Sequence, residues 1–152
     1  MNHHNHLDEL AWRFFHVFSR TEYALKASGI NFGDGPAEAN WRDFALAVDN
    51  LIADPSTPEL EDAVNFIFNA PPEKQVILGG VLQWKASEPE TDSRADKLLI
   101  YVRRVRNNLF HGGKFNGRWF EPQRSEPLMR HSLVILSSCV EEVASVREAF
   151  HG

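Results

Sequence analysis

The chain has a single cysteine, so no intrachain disulfide can form and a cysteine-based metal site is ruled out within one chain. Cys139 sits in the apolar run Leu133-Val-Ile-Leu-Ser-Ser-Cys139-Val, where a small buried hydrophobe is the expected role. No hydrophobic run approaches bilayer length, so no membrane partner is expected. The N-terminus, Met1-Asn-His-His-Asn-His-Leu-Asp, lacks the basic and apolar regions of a secretory signal, and a cytoplasmic location is the default expectation. Internal repeats, low-complexity segments and convincing sets of alternating strands are also missing. Gly79-Gly80 lacks the further glycines and helix-opening context of a phosphate loop. What remains is a chain of 152 residues, 43% hydrophobic and 24% charged, which suits one compact domain with a sizeable core.

Charge is unevenly spread. The net charge of -5 argues against a surface coated for indiscriminate nucleic-acid binding. Yet Arg94, Lys97, Arg103, Arg104, Arg106, Lys114, Arg118 and Arg124 fall within one segment, opposed there only by Asp96 and Glu121. That segment carries +6 and the rest of the chain -11. An anion site confined to one region fits this pattern; so does a solvated helix face followed by a loop.

Apolar spacing predicts helices almost throughout and an all-α, antiparallel bundle of about five. The first runs over 8–28 and stops at Gly29; the second starts near Pro36 and ends before Asp54-Pro55. The third has Ser56 or Thr57 as cap, Pro58 as first residue and carboxylates in its first turn. Residues 73–85 fit a short helix or a short extended piece, with a break at Gly79-Gly80. Ser93 can cap a helix ending at His111, a linker covers 112–123, and a last helix runs over 125–150. The helix ending at His111 is expected against the first and last helices. Residues 1–7 read as a flexible tail, and His3, His4 and His6 resemble a metal tract without a fixed carboxylate beside them, so neither metal nor cofactor is expected.

The most informative stretch is Arg106-Asn-Asn-Leu-Phe-His111, followed by Gly112-Gly113-Lys114. It puts a permanent cation and a group that titrates near neutrality at the end of one helix. Phosphodiester cleavage without a metal needs a fixed charge for the pentavalent phosphorane and an imidazole to move protons. Leu98, Val102, Val105 and Leu109 form a stripe that must face the core, whereas Arg103, Asn107 and His111 form a ridge on roughly the opposite side, with Ile100 and Phe110 nearby. Arg106 lies about 140° around the helix from His111, so the two share one phosphate more naturally if two crossing helices converge at a two-fold axis. A purely structural role also fits, since the helix dipole favours a protonated histidine at a C-terminus.

Elsewhere, Glu22 and Lys26 are spaced for an ion pair, and Arg20 is a candidate to point toward the motif helix. Trp41, Trp84 and Trp119 could stack bases if exposed, Trp119 foremost, although core tryptophan is commoner. His16 reads as an ordinary helix residue, and His131 suits surface or core.

Arg106-Asn107-Asn108-Leu109-Phe110-His111 resembles the R-x4-6-H signature of the HEPN superfamily, including the polar residue after the arginine. The similarity extends over Phe18 to Lys26, Pro71 to Gln75 with Trp84-Lys85, and Leu98 to Lys114, as in a bacterial, plasmid-associated subgroup. The resemblance implies a helical bundle, commonly a homodimer whose composite cleft cleaves RNA without a metal, in toxin-antitoxin or antiviral defence roles. Carried over, Arg106 and His111 would be catalytic, Asn107 would orient the histidine or phosphate, and Arg103, Arg104 and Lys114 would bind substrate. An antitoxin protein is then a possible partner. Some relatives are noncatalytic modules that bind RNA, a nucleotide or a protein, which is the alternative reading.

Overall fold

A computed structural model of the chain describes residues 3–111, 114–115, 118–119 and 122–152, and the side chains of 6–110 and 124–152. The described residues form seven helices and two short hairpins: α1 (His3–Ala27), α2 (Trp41–Ala47), α3 (Asp49–Ala53), α4 (Pro58–Asn69), β1 (Lys74–Leu78), β2 (Val81–Lys85), α5 (Arg94–His111), β3 (Lys114–Phe115), β4 (Arg118–Trp119), α6 (Pro122–Glu142) and α7 (Ala144–His151). The fold is predominantly helical rather than all-α.

Several helix starts follow local chemistry. Thr57 Oγ1 accepts from Leu60 N at 3.1 Å, with Pro58 first and Glu59 and Glu61 in the opening turn, which satisfies an orphan donor and places charge against the dipole. Ser93 Oγ accepts from Asp96 N at 3.1 Å and opens α5. The second helix starts at Trp41 rather than near Pro36, because Asn40 Oδ1 caps it at Asp43 N and residues 31 and 39 bridge. It is broken at Val48 (φ -108°, ψ 10°), which buries Val48, Leu51 and Ile52 together. The last helix breaks likewise at Val143, whose backbone is extended. These two breaks raise the predicted five helices to seven.

Of the expected tail, residues 3–7 instead begin α1, and Leu7 is fully buried. His6 there lies 3.5 Å from Glu126 Oε1 and 3.3 Å from Arg130 Nη2 of α6.

Residues 74–85 form an antiparallel hairpin in the register Lys74↔Lys85 to Leu78↔Val81. Gly79 (φ 56°) and Gly80 (φ 77°) both adopt the left-handed region that a two-residue hairpin turn requires.

The core joins Phe14 and Leu25 of α1, Phe44, Ile52, Leu60 and Ile67 of α2 to α4, and Met129, Ile135 and Leu136 of α6. From α5 it takes Leu98, Val102 and Val105 as predicted, with Leu99 and Tyr101 besides, while Leu109 is partly buried. Each large apolar side chain so buried contributes about 1.5–3 kcal/mol. Helix α1 packs on α6 and α7, whereas α5 packs chiefly on α2 and α3. The motif helix therefore does not lie mainly between the first and last helices.

Candidate nucleic-acid interface

Helix α5 sets Arg103 and Arg106 against the edge of this core, where an aromatic ladder holds both. The Arg106 guanidinium lies 4.7 Å from the centroid of Phe110 and 5.6 Å from that of Phe18. Phe18 stacks on Trp41 with centroids 5.2 Å apart, and the Arg103 guanidinium lies 5.6 Å from the Trp41 ring. Cations over aromatic faces are held by the ring quadrupole, which fixes each guanidinium while leaving its edges as donors. Trp41 is itself fixed, since its Nε1 donates to Glu22 Oε2 at 3.1 Å. Glu22 thus serves the indole rather than pairing with Lys26.

Arg103, Arg106 and Asn107 line one cleft of about 400 Å³ that Phe18, Trp41 and the 31–39 loop close on the other side. Within it, Arg106 Nη1 donates to Asn107 Oδ1 at 3.1 Å. The cleft takes Arg103 and Arg106 from α5 and is lined as well by Arg42 and the carboxylates Glu22 and Glu38. Arg103 Nε is buried without a hydrogen-bond partner among the described residues. Burial lowers the Arg103 pKa and the carboxylates of Asp96 and Glu22 oppose this, so the guanidinium stays charged with donor capacity to spare. A second hollow of about 490 Å³ lies toward β1, and Arg103 and Asn107 border both.

Arg104 has another task. It donates to Pro72 O at 3.3 Å and Ser87 O at 2.7 Å, closing the base of the β1–β2 hairpin, and its pKa is lowered by burial with Tyr101 opposing. Asn108 Nδ2 reinforces this hold by donating to Glu73 O at 2.7 Å. Arg104 also borders the second hollow, so its predicted substrate contact is secondary to an anchoring role.

His111 is the last residue of α5, and Lys114 belongs to β3; their side chains, like that of Trp119 in β4, lie outside the described residues. Arg20 does not reach the motif helix: it donates to Phe150 O at 2.5 Å and Ala149 O at 3.4 Å, capping α7. His16 is exposed, and His131 is half-buried with its ring 4.5 Å from that of Phe66. Cys139 is fully buried, its thiol pushed up to about 12 by desolvation.

The sequence reading missed Phe32 and Glu38, which the Asn31↔Ala39 bridge sets at the cleft rim. The signal was there in Gly33-Asp34-Gly35-Pro36, a reversal that breaks the helical period and brings its flanks together.

Arranged this way, the cleft can hold an anion on Arg103 and Arg106 and an apolar ring beside it. No protein-family model, curated protein or solved structure matches this chain.

Proposed function

We propose that the protein is a metal-independent endoribonuclease of the HEPN type. The observation that carries this reading is the shared cleft of Arg103, Arg106 and Asn107, held by aromatic rings on the helix that ends at His111. In the reaction proposed, the 2'-OH of RNA attacks the adjacent phosphorus, the bond to the 5'-oxygen breaks, and a 2',3'-cyclic phosphate and a 5'-OH result. His111 takes the proton of the attacking hydroxyl, and a second His111 gives one to the leaving oxygen. Arg106 binds the nonbridging oxygens and stabilises the charge that develops on them. Arg103, with Lys114 beyond the helix, holds the flanking backbone.

Two histidines imply two copies, and a second copy has a surface to meet. Trp12 is 75% exposed and Phe110 62% exposed, and Phe15, one turn from Trp12, meets Phe110 edge-on at 6.5 Å. An apolar patch of this kind beside Arg106 supports a homodimer with a composite cleft. A toxin or defence role, with an antitoxin protein as partner, extends the same reading.

A noncatalytic module that binds RNA, a nucleotide or a protein is the second reading. It is favoured by the packing of Arg106 between two rings and its bond to Asn107 within one protomer, which a purely binding cation would also show. Cleavage of single-stranded RNA by wild type and His111→Ala, in EDTA, decides between them. The nuclease reading expects cyclic-phosphate ends from wild type and a loss of about 10²–10⁴ in rate for the variant. Salt-dependent binding without cleavage would establish the module instead.

A further inference from the structure

The cleft is polar. Its lining joins the donors of Arg103 and Arg106 from α5 to the carboxylates Glu22 and Glu38, the guanidinium of Arg42 and the ring of Phe32. The part that the 28–40 segment supplies is built rather than fortuitous. The 28–40 segment is tied at its neck by Ile30 N to Leu25 O and Asn40 N to Ile30 O, each at 2.9 Å, and by Asn31 Nδ2 to Lys26 O at 2.9 Å. The Asn31↔Ala39 bridge then sets its flanking residues, Phe32 and Glu38, near one another. Phe32 is left 62% exposed on this tied loop, an apolar ring beside a cleft of the size that takes small ligands.

We propose that this cleft is a base-recognition site that takes the guanine of a nucleotide whose phosphate rests on Arg106. The inference deepens the RNA-cleaving reading and rests on it for the place of the phosphate. A carboxylate in a cleft that also holds guanidiniums repels phosphate and accepts hydrogen bonds, so a ligand that meets both kinds of group presents an anion to one and donors to the other. Among the bases, guanine alone offers two parallel donors, N1–H and the 2-amino group, to the two oxygens of one carboxylate. Adenine and cytosine offer a single amino group, and uracil offers one N–H between two carbonyl oxygens that a carboxylate repels. Glu38 is exposed and has both oxygens to give, whereas Glu22 is bound to Trp41 Nε1. Phe32 supplies a face on which the base stacks.

Calorimetric titration of the full chain with 3'-GMP and 3'-UMP tests this. Wild type is expected to bind 3'-GMP about tenfold or more tighter, the scale of discrimination set by a two-bond contact. Glu38→Gln turns one acceptor oxygen into a donor and is expected to erase most of that ratio. Phe32→Ala is expected to weaken both ligands about fivefold or more by removing the stack. Both positions are exposed, so neither variant threatens the fold. Equal binding of the two nucleotides, or a preference untouched by Glu38→Gln, overturns the proposal. Comparing a guanine-containing RNA oligomer with 5'-GMP assigns the base to RNA or to a free nucleotide, whichever binds tighter. RNA cleavage without guanine bias overturns the base site and leaves the nuclease standing. Selective 3'-GMP binding by a protein that cleaves no RNA supports the base site and removes the nuclease.

Discussion

Replacing Arg106 with alanine separates chemistry from stability. Arg106 makes two cation–π contacts, with Phe110 and Phe18, and one hydrogen bond, to Asn107. At a partly exposed site each ring contact is worth about 0.5–1 kcal/mol, and the hydrogen bond about 0.5–1.5 kcal/mol. The variant should therefore lose about 1.5–3.5 kcal/mol, which leaves a domain of ordinary stability folded. For a chain of this length that is a fall in Tm of about 2–4 °C per kcal/mol. If Arg106 stabilises the phosphorane, the cleavage rate falls by about 10²–10³, as when one oxyanion donor is removed. Arg106→Lys keeps the charge but loses the planar fork, and should fall between wild type and alanine. The assay is the initial rate of cyclic-phosphate formation on a single-stranded RNA, with thermal unfolding followed by circular dichroism on the same preparations. A variant that keeps more than about a tenth of the wild-type rate refutes the assignment, as does a loss of rate that only tracks unfolding.

Arg104→Ala should loosen the β1–β2 hairpin by removing the donor to Pro72 O and Ser87 O, a loss of about 1–3 kcal/mol felt locally; unchanged amide exchange over 74–85 would rule out the anchoring role. Cys139, buried with its thiol pushed up to about 12, should stay unmodified by a thiol reagent at pH 8 until the protein unfolds, and rapid labelling of native protein would contradict that burial. His131 has its pKa lowered by burial, with Arg130 adding to the shift and Asp62 opposing it. A histidine depressed in the folded state takes up protons more readily when unfolded, so its contribution to stability is present above its unfolded pKa and lost as pH falls through the folded value. His131→Gln should flatten the loss of stability as pH falls below about 6.5; an acid limb identical to that of wild type would show that His131 does not contribute.

Local chemistry in the sequence determined much of the helical framework. Thr57-Pro58 and Ser93 cap helices because their hydroxyls meet amides three residues on, an interaction that needs no distant partner. The core stripe of α5 was legible for a similar reason: a 3.6-residue period puts Leu98, Val102 and Val105 on one face whatever they pack against. The β1–β2 hairpin was readable in part, since two glycines between β-forming residues are a turn signal, but its strands carry no clean alternation to set against the helical period.

Tertiary structure alone decided which cation does what. Arg103, Arg104 and Arg106 look alike in sequence, yet Arg104 is drawn to the hairpin carbonyls while Arg103 and Arg106 settle against Trp41, Phe18 and Phe110. Glu22 is spaced for Lys26 on its own helix and instead holds the Trp41 indole, because a buried N–H must find an acceptor and an exposed ion pair gains little. The cleft itself joins α1, the bridged 31–39 loop and α5. Periodicity describes each helix against its own axis; which side chains face one another across a gap depends on how those axes pack, and that is set by the whole core at once.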